Sequence, residues 1–212
     1  HDAASKAAIL ASIAFHTRVT ADDVYCEGIS NISAADIEAA QQAGHTIKLL
    51  AICEKFTNKE GKSAISARVH PTLLPVSHPL ASVNKSFNAI FVEAEAAGRL
   101  MFYGNGAGGA PTASAVLGDV VGAARNKVHG GRAPGESTYA NLPIADFGET
   151  TTRYHLDMDV EDRVGVLAEL ASLFSEQGIS LRTIRQEERD DDARLIVVTH
   201  QAREADLAST VE

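Results

Sequence analysis

The stretch from residue 151 to the end of the chain has the pattern that most restricts the fold. Strand and helix signals alternate there in the order strand, helix, strand, strand, helix. The predicted elements are strands at residues 152–160, 179–187 and 194–200, and helices at residues 163–174 and from residue 204 onward. This βαββα order is one strand short of the split repeat of ferredoxin-like domains, which predicts a small antiparallel sheet covered by helices.

A step in charge divides the chain. Residues 151–212 contain seven arginines, no lysine and 14 acidic residues, whereas the residues before them carry 12 basic and 14 acidic side chains. Just before the step, residues 130–139 read GGRAPGESTY, a composition rich in turn formers. A loop of that length is uncommon inside a compact domain and indicates a linker or an ordered strap. The sequence therefore predicts a first domain at residues 1–129, a linker at 130–150 and a second domain at 151–212.

The predicted first domain combines helices with successive strands. Helices are expected at residues 2–16, 34–43 and 111–128, and strands at residues 46–56, 63–70, 88–94 and 99–103. Prolines are expected to break up the connection after the second strand, at Pro71, Pro75 and Pro79. Alternation in residues 65–69, ISARV, predicts one covered and one more polar face of the sheet. The fold class that follows is α+β with a mostly antiparallel sheet.

A glycine-rich turn is the strongest chemical signal in this first domain. Residues 104–118 read GNGAGGAPTASAVLG, with four glycines in the first six positions and Pro111 at the start of a helix. Glycines allow a flat ligand or another backbone to approach closely, and the unpaired amides of the first helical turn suit a negative or polar group. The alternative is a tight connection between a strand and a helix, without a ligand.

Composition and spacing exclude several classes of protein. The net charge of −9, without a basic stripe, argues against nucleic-acid binding. Cys26 and Cys53 lack CxxC spacing and a nearby histidine pair, which argues against a zinc site and a disulfide framework and fits a reducing cytoplasm. The longest apolar stretch, residues 7–15, is too short to cross a bilayer. The histidines share no ligand spacing, and residues 190–192, three aspartates, are interpreted as a solvated turn and not as a metal site.

Two families resemble different parts of this sequence. The motif EDRVGVL at residues 161–167 resembles the loop of ACT domains, small amino-acid-sensing modules with the order βαββαβ, although many of them have proline where this chain has Val164. The segments DAASK at 2–6, GISNI at 28–32 and NAIFVE at 88–93, followed by the glycine turn, resemble the catalytic and dimerisation region of homoserine dehydrogenase. Together they resemble the monofunctional bacterial form, in which an ACT module follows the catalytic region.

The resemblance implies an activity and its residues. Members of the family interconvert L-homoserine and L-aspartate 4-semialdehyde with NADP or NAD, on the route to threonine and methionine. Lys6 would exchange the proton at the alcohol oxygen, with Asp2 holding the substrate amine or Lys6 itself. From spacing alone, Asp2 and Lys6 are an i,i+4 pair on one helical face, which is most often an ordinary surface ion pair.

The same resemblance assigns binding residues. Gly106, Ala107 and Gly108 would lie near the nicotinamide end of the cofactor. Asp162, Val164 and Gly165 would hold an amino-acid effector, with threonine favoured, although Asp162 is equally well interpreted as a plain helix cap. The implied assembly is a homodimer or a higher oligomer.

Departures from the family set further expectations. The family begins with a nucleotide-binding Rossmann domain, and no GxGxxG motif precedes Asp2 here. The chain is therefore expected to be a fragment, cut also before the last ACT strand, that neither turns over nor binds NAD(P) well alone. Val116, Leu117 and Val120 are then expected to be exposed, because their helix would face the Rossmann domain. The alternative interpretation is a non-catalytic, dimerising, amino-acid-sensing module.

Overall fold

The computed structural model describes residues 1–132, 135–189 and 192–211. The helices are α1 (Asp2–Phe15), α2 (Ala34–Gln42), α3 (Gly109–His129), α4 (Val166–Glu176) and α5 (Glu204–Val211). The strands are β1 (Tyr25–Cys26), β2 (His45–Thr57), β3 (Ser63–Pro75), β4 (Phe87–Ala94), β5 (Gly98–Asn105), β6 (Thr151–Thr152), β7 (His155–Glu161), β8 (Leu181–Arg189), β9 (Asp192–Thr199) and β10 (Ala202–Arg203). The expected α+β class with antiparallel pairing is confirmed.

The chain divides into two compact units that do not follow chain order. The first unit contains residues 1–25, 51–68 and 139–212, and the second contains residues 26–50 and 69–138. The division at 1–129, 130–150 and 151–212 rests on composition and stays a prediction. Each unit is described by itself below.

Helix α1 packs through alanines. Its buried residues are Ala4, Ala7, Ala8 and Ala11, which recur at helical spacing and form a narrow face of small side chains. The thiol of Cys53 donates to the Ala7 carbonyl at 3.4 Å, and burial raises the pKa of this thiol. Small side chains let neighbouring backbone approach α1 closely, while its acidic and basic residues stay on the outer face.

Strand β3 is the centre of a three-stranded sheet of order β1-β3-β2. The more polar face expected at residues 65–69 is covered as well, because all six residues at 64–69 are buried, including Ser66 and Arg68. The Arg68 guanidinium reaches the Glu54 carboxylate at 2.6 Å and the Ser66 hydroxyl at 3.2 Å. Because they have these hydrogen-bonding partners, Ser66 and Arg68 can lie in a buried strand, although the alternating pattern alone predicts that they face solvent.

The prolines after residue 70 do not break β3, contrary to expectation. The strand continues through Pro71 and ends at Pro75. Strand β1 is only two residues long, so most of one edge of β3 has no partner strand. A proline whose nitrogen faces this open edge costs no hydrogen bond of the sheet. Pro79 does stand outside a strand, at the start of a short 3₁₀ helix.

In the second unit, a hairpin leads into the longest helix. Strands β4 and β5 pair antiparallel over their whole length, from Phe87 opposite Asn105 to Ala94 opposite Gly98. Gly98 has φ of 69°, a left-handed conformation that favours glycine at the turn. Helix α3 follows directly, and none of its residues is buried.

Residues 151–189 and 192–211 adopt the predicted βαββα order with three differences in detail. The sheet order is β7-β9-β8, antiparallel throughout. The strand expected at 152–160 is divided into β6 and β7, because β6 pairs with β10 instead of continuing into the sheet. Helix α4 begins three residues later than expected, after Gly165, whose φ of 99° is outside the helical region. Of the expected acidic turn, residues 190 and 191 lie outside the described part of the chain, and β9 already starts at Asp192.

The core of this region is a small apolar cluster. Phe174, Ile179, Ala202 and Leu207 are buried together, and partly buried apolar side chains surround them. Phe174 projects from α4 and Leu207 from α5, so the cluster joins both helices of the βαββα region. Its burial therefore stabilises the whole region.

Residues 139–145 form an ordered strap within the first unit. Ala140 and Leu142 donate their amides to the carbonyl of His16 and the hydroxyl of Thr17, just beyond the end of α1. Further along, the strap exchanges two backbone hydrogen bonds with Ile65 of β3, at 2.9 and 2.8 Å. This segment is therefore bound to both α1 and β3 of the first unit.

Among the described residues, no helix has the length and apolarity required of a membrane span.

Candidate functional site

Asp2 and Lys6 lie one turn apart at the start of α1, in the first unit. The Lys6 ammonium donates to the Asp2 carboxylate at 2.7 Å, and the two side chains are 60% and 83% exposed. The negative charge in the first turn also suits the positive end of the helix dipole. The pair is open to solvent and to an incoming ligand, so its amine and carboxylate are available to a polar substrate.

The Asp2 carboxylate should resist protonation. The hydrogen bond from Lys6 and its charge lower the pKa of Asp2 from the ordinary value of 3.8. Because the folded-state pKa is lowered, the stabilising contribution is present above pH 3.8 and is lost as the pH falls through the lower, folded-state value. A carboxyl-carbon NMR titration should give a midpoint below 3.8, and Lys6→Met should return it towards that value. Equal midpoints in the two proteins would show that the ion pair does not form in solution.

The glycine turn lies between β5 and α3 in the second unit. The Gly106 amide donates to the Ser86 carbonyl at 2.8 Å, which folds the turn over the start of β4. Gly108 is the N-cap of α3 with φ of 133°, a conformation that side chains rarely adopt. The conformation of the turn thus explains why glycine is found at both positions. Ala107, which lies between them, is exposed. The first turn of α3 adds amides without helical partners, which can bind a polar ligand group.

The exposed face expected on α3 is present. Val116, Leu117, Val120 and Val121 are 55–61% exposed, although they are spaced as one apolar stripe. Exposure of such a stripe is typical of a helix that packs against a surface outside the described residues.

A cavity of about 270 Å³ lies at the start of α4, within the first unit. Its lining includes all three predicted effector residues, Asp162, Val164 and Gly165, together with Gln186 of β8 and Leu195 of β9. The Gln186 amide donates to the Asp162 carboxylate at 3.5 Å, whereas Val164 is fully exposed at the rim. The predicted residues are thus brought together around one cavity that combines a carboxylate, a side-chain amide and a helix N-terminus.

A paired arginine borders this cavity. Arg163 donates to both carboxylate oxygens of Glu169, at 3.0 and 2.6 Å, and lies 3.5 Å from the Glu161 carboxylate. These contacts raise the pKa of Arg163 and lower that of Glu169. Arg163 is therefore paired with the chain's own acids, whereas the Asp162 carboxylate lines the cavity beside Gln186.

Sequence reasoning missed Gln186 and Leu195. They lie 19 and 28 residues beyond the end of the 161–167 motif, and they reach the cavity because β8 and β9 pair with Gln186 opposite Leu195. The only signal in the sequence is the order of the strands, which does not specify the register.

Within the described residues, no group of three or more His, Cys, Asp or Glu side chains is arranged to hold a metal ion.

Comparison with known proteins assigns both parts of the chain. Residues 1–121 match the family described as homoserine dehydrogenase, and residues 154–212 match the ACT domain. The chain belongs to the homoserine dehydrogenase family. This confirms the resemblance that the short motifs carry, including the ACT module that follows the catalytic region.

Three homoserine dehydrogenases illustrate the similarity. The Corynebacterium glutamicum protein is 98% identical over all 212 residues, which cover 48% of its length. The Mycobacterium tuberculosis protein is 59% identical over the whole chain, which covers 49% of that relative. A crystal structure from Thiobacillus denitrificans superposes with a TM-score of 0.90 at 34% identity, over 99% of this chain and 48% of that one. The chain thus spans about half the length of the homoserine dehydrogenases it matches.

Proposed function

We propose that this chain acts within an NAD(P)-dependent homoserine dehydrogenase of the cytoplasm that interconverts L-homoserine and L-aspartate 4-semialdehyde. The observation that carries the proposal is the 98% identity, over the whole chain, with the Corynebacterium glutamicum homoserine dehydrogenase. The reaction belongs to the route to threonine and methionine. The assembly we propose is a homodimer or a higher oligomer.

In this proposal Lys6 is the residue that transfers a proton to and from the substrate hydroxyl group. Oxidation of the substrate alcohol releases a proton from the hydroxyl group. The neutral amine form of Lys6, in hydrogen-bonding reach of that oxygen, would accept this proton and become the ammonium, which would return it in the reverse reaction. The exposed ion pair with Asp2 supports this role, because the carboxylate orients the Lys6 side chain along the helix. Asp2 also supplies a negative charge for the ammonium group of homoserine.

The glycine turn is proposed to bind the nicotinamide end of NAD(P). Gly106 and Gly108 suit such a group, because neither adds a side chain of its own beside the N-terminus of α3. Ala107 lies between them, with a side chain of a single methyl group. When bound, the cofactor supplies the hydride acceptor, and the turn's part is to orient it and to exclude water.

A hybrid enzyme tests this proposal directly. In it, the 212-residue chain replaces the matching segment of the Corynebacterium glutamicum homoserine dehydrogenase. The hybrid is expected to oxidise L-homoserine with NADP or NAD. A folded hybrid without this activity would favour the alternative, a non-catalytic dimerising and amino-acid-sensing module, which the cavity next to α4 would serve equally well.

The cavity at residues 160–167 is proposed to bind an amino-acid effector, threonine being the first candidate. The Asp162 carboxylate would pair with the ammonium group. The Leu167 amide would bind the carboxylate, since the Val166 and Ala168 amides of the same turn already donate to the Arg163 and Gly165 carbonyls. Val164 stands at the rim, where its apolar side chain can contact the effector side chain.

Calorimetric titration of the 212-residue chain tests the effector proposal. Threonine is expected to bind more tightly than lysine or methionine, and Asp162→Ala should weaken threonine at least tenfold, since a charge-assisted pair is lost. Glu93→Ala is the matched control, because Glu93 is also an exposed, ion-paired carboxylate but belongs to the second unit. Equal threonine affinity in the Asp162→Ala protein and in the unmutated one would exclude this cavity as the site.

A further inference from the structure

Asn88 lies directly against the glycine turn. It is the second residue of β4 and stands opposite Gly104 of β5, two residues before Gly106. A Cβ atom built on Gly106 would fall 1.8 Å from Nδ2, 2.4 Å from Cγ and 2.9 Å from Oδ1 of Asn88. The whole side-chain amide of Asn88 therefore occupies the space that Gly106 leaves empty.

The backbone holds this arrangement in place. Because the Gly106 amide donates to the Ser86 carbonyl, the turn is hydrogen-bonded to the chain two residues before Asn88. Residue 106, the first residue after β5, is thus held beside residue 88 of β4, and only a glycine at 106 leaves room for the amide. The amide of Asn88 is positioned together with the turn and not independently of it.

The Asn88 amide has no hydrogen-bonding partner among the described residues, and the residue is exposed. Asn84, four residues earlier, shows what an asparagine with a purely structural role does in the same unit. Its oxygen accepts from the Lys48 ammonium at 2.9 Å, and its nitrogen donates to the Ser82 carbonyl at 3.1 Å. Asn88 instead presents one donor group and one acceptor to the outside, beside Gly106.

We infer that Asn88 binds the carboxamide of the nicotinamide ring and thereby orients the cofactor at the glycine turn. A primary carboxamide has an oxygen that accepts and a nitrogen that donates, so it can make a reciprocal pair of hydrogen bonds with an asparagine amide. Gly106 allows the flat ring to approach the backbone beside that amide. This inference rests on the proposed function, since it names the residue that reads the cofactor at the site proposed above.

The test is a comparison of two ligands in the hybrid enzyme. Calorimetry measures the dissociation constants of NADPH and of 2′-phospho-ADP-ribose, which lacks the nicotinamide. Asn88→Ala is expected to raise the dissociation constant of NADPH about tenfold or more, because two hydrogen bonds are lost, and to leave that of 2′-phospho-ADP-ribose within about twofold. If the enzyme prefers NAD, the pair is NADH and ADP-ribose.

Gly106→Ala provides a second, independent variant. Its methyl group would displace the Asn88 amide, so it should weaken NADPH and spare 2′-phospho-ADP-ribose in the same way. Gly104→Ala is its control, because a Cβ there meets no atom within 4 Å. Asn126→Ala controls for the loss of an amide, since the Asn126 side chain lies beside Gly131 at the other end of α3.

The outcomes separate this inference from the proposed function. An unmutated hybrid that binds neither NADPH nor NADH contradicts the proposed function. If the unmutated hybrid binds the cofactor, unchanged NADPH affinity in Asn88→Ala overturns the inference, and so does an equal loss for both ligands. Circular dichroism identifies a variant that does not fold. In that case Asn88→Asp, which keeps the size of the side chain but lacks its amide donor, replaces Asn88→Ala with the same expected results.

Discussion

Lys6→Ala is expected to lower the kcat of the hybrid enzyme for homoserine oxidation by about 10²–10⁴-fold, the usual contribution of a positioned proton-transfer group. The substitution removes the amine that we propose accepts the hydroxyl proton but keeps a good helix former at an exposed position of α1. The fold and the cofactor affinity should therefore remain, so the loss appears in kcat and kcat/KM with homoserine. Steady-state kinetics together with a thermal melt measure both.

Lys62→Ala is the matched control for this prediction. Lys62 also forms an exposed ion pair with a carboxylate, at 3.0 Å to Glu60, with both side chains about as exposed as those of Asp2 and Lys6. Its loss should change kcat by less than about twofold, since surface pairs of this kind contribute little. Lys6→Arg should remain impaired, because arginine keeps the charge but does not give up its proton. An active Lys6→Ala hybrid would remove Lys6 from the chemistry and leave Asp2–Lys6 as an ordinary surface pair.

Phe174→Ala is expected to lower the free energy of unfolding of the βαββα region by about 3–5 kcal/mol, the usual range for a buried aromatic side chain. Phe174 is only 2% exposed and packs with Ile179, Ala202 and Leu207, so the truncation leaves a cavity between α4 and α5. The urea transition that reports unfolding of the βαββα region, measured by circular dichroism, should move to a lower urea concentration. Binding of the amino-acid effector should weaken with it, because α4 supplies one wall of the cavity.

Leu173→Ala tests whether burial is the cause. Leu173 is the neighbouring residue of the same helix, is comparable in hydrophobicity and is 48% exposed. Its truncation should cost less than about 1 kcal/mol, because much of the side chain is already in water. If both substitutions shift the transition equally, the apolar cluster is not what stabilises this region.

Local patterns predicted most elements, and long-range pairing explains most of the errors. Helix α2 begins after Ser33 because its hydroxyl accepts from the Asp36 amide, a short-range signal that can be seen in the sequence. The break between β6 and β7 depends instead on the pairing of Thr152 with Ala202, which is 50 residues away. Burial of Arg68 likewise depends on Glu54 of a different strand. Such partners cannot be predicted from the periodicity of one segment.

The candidate sites divide in the same way. Asp2 with Lys6, and Asp162 with Gly165, lie within short motifs that resemble the family, and that resemblance identifies them. Spacing alone predicts an ordinary ion pair at Asp2 and Lys6, and their roles stay predictions. Asn88 begins the 88–93 motif that resembles the family, but nothing in that motif indicates a binding role for this residue. Its position became informative only when the empty Cβ space of Gly106 was found to be filled by its amide.

The ordered segment at residues 139–145 limits where this protein can be cut or recombined. Its amides and carbonyls complete the hydrogen bonding of Ile65 and of the chain just after α1. A version that ends at residue 138 would leave the buried edge of β3 unpaired, and an edge of that kind attracts other strands. In an exchange of the ACT domain between related proteins, the junction should therefore lie upstream of residue 139. Residues 139–145, which complete the hydrogen bonding of β3, then move together with the ACT domain.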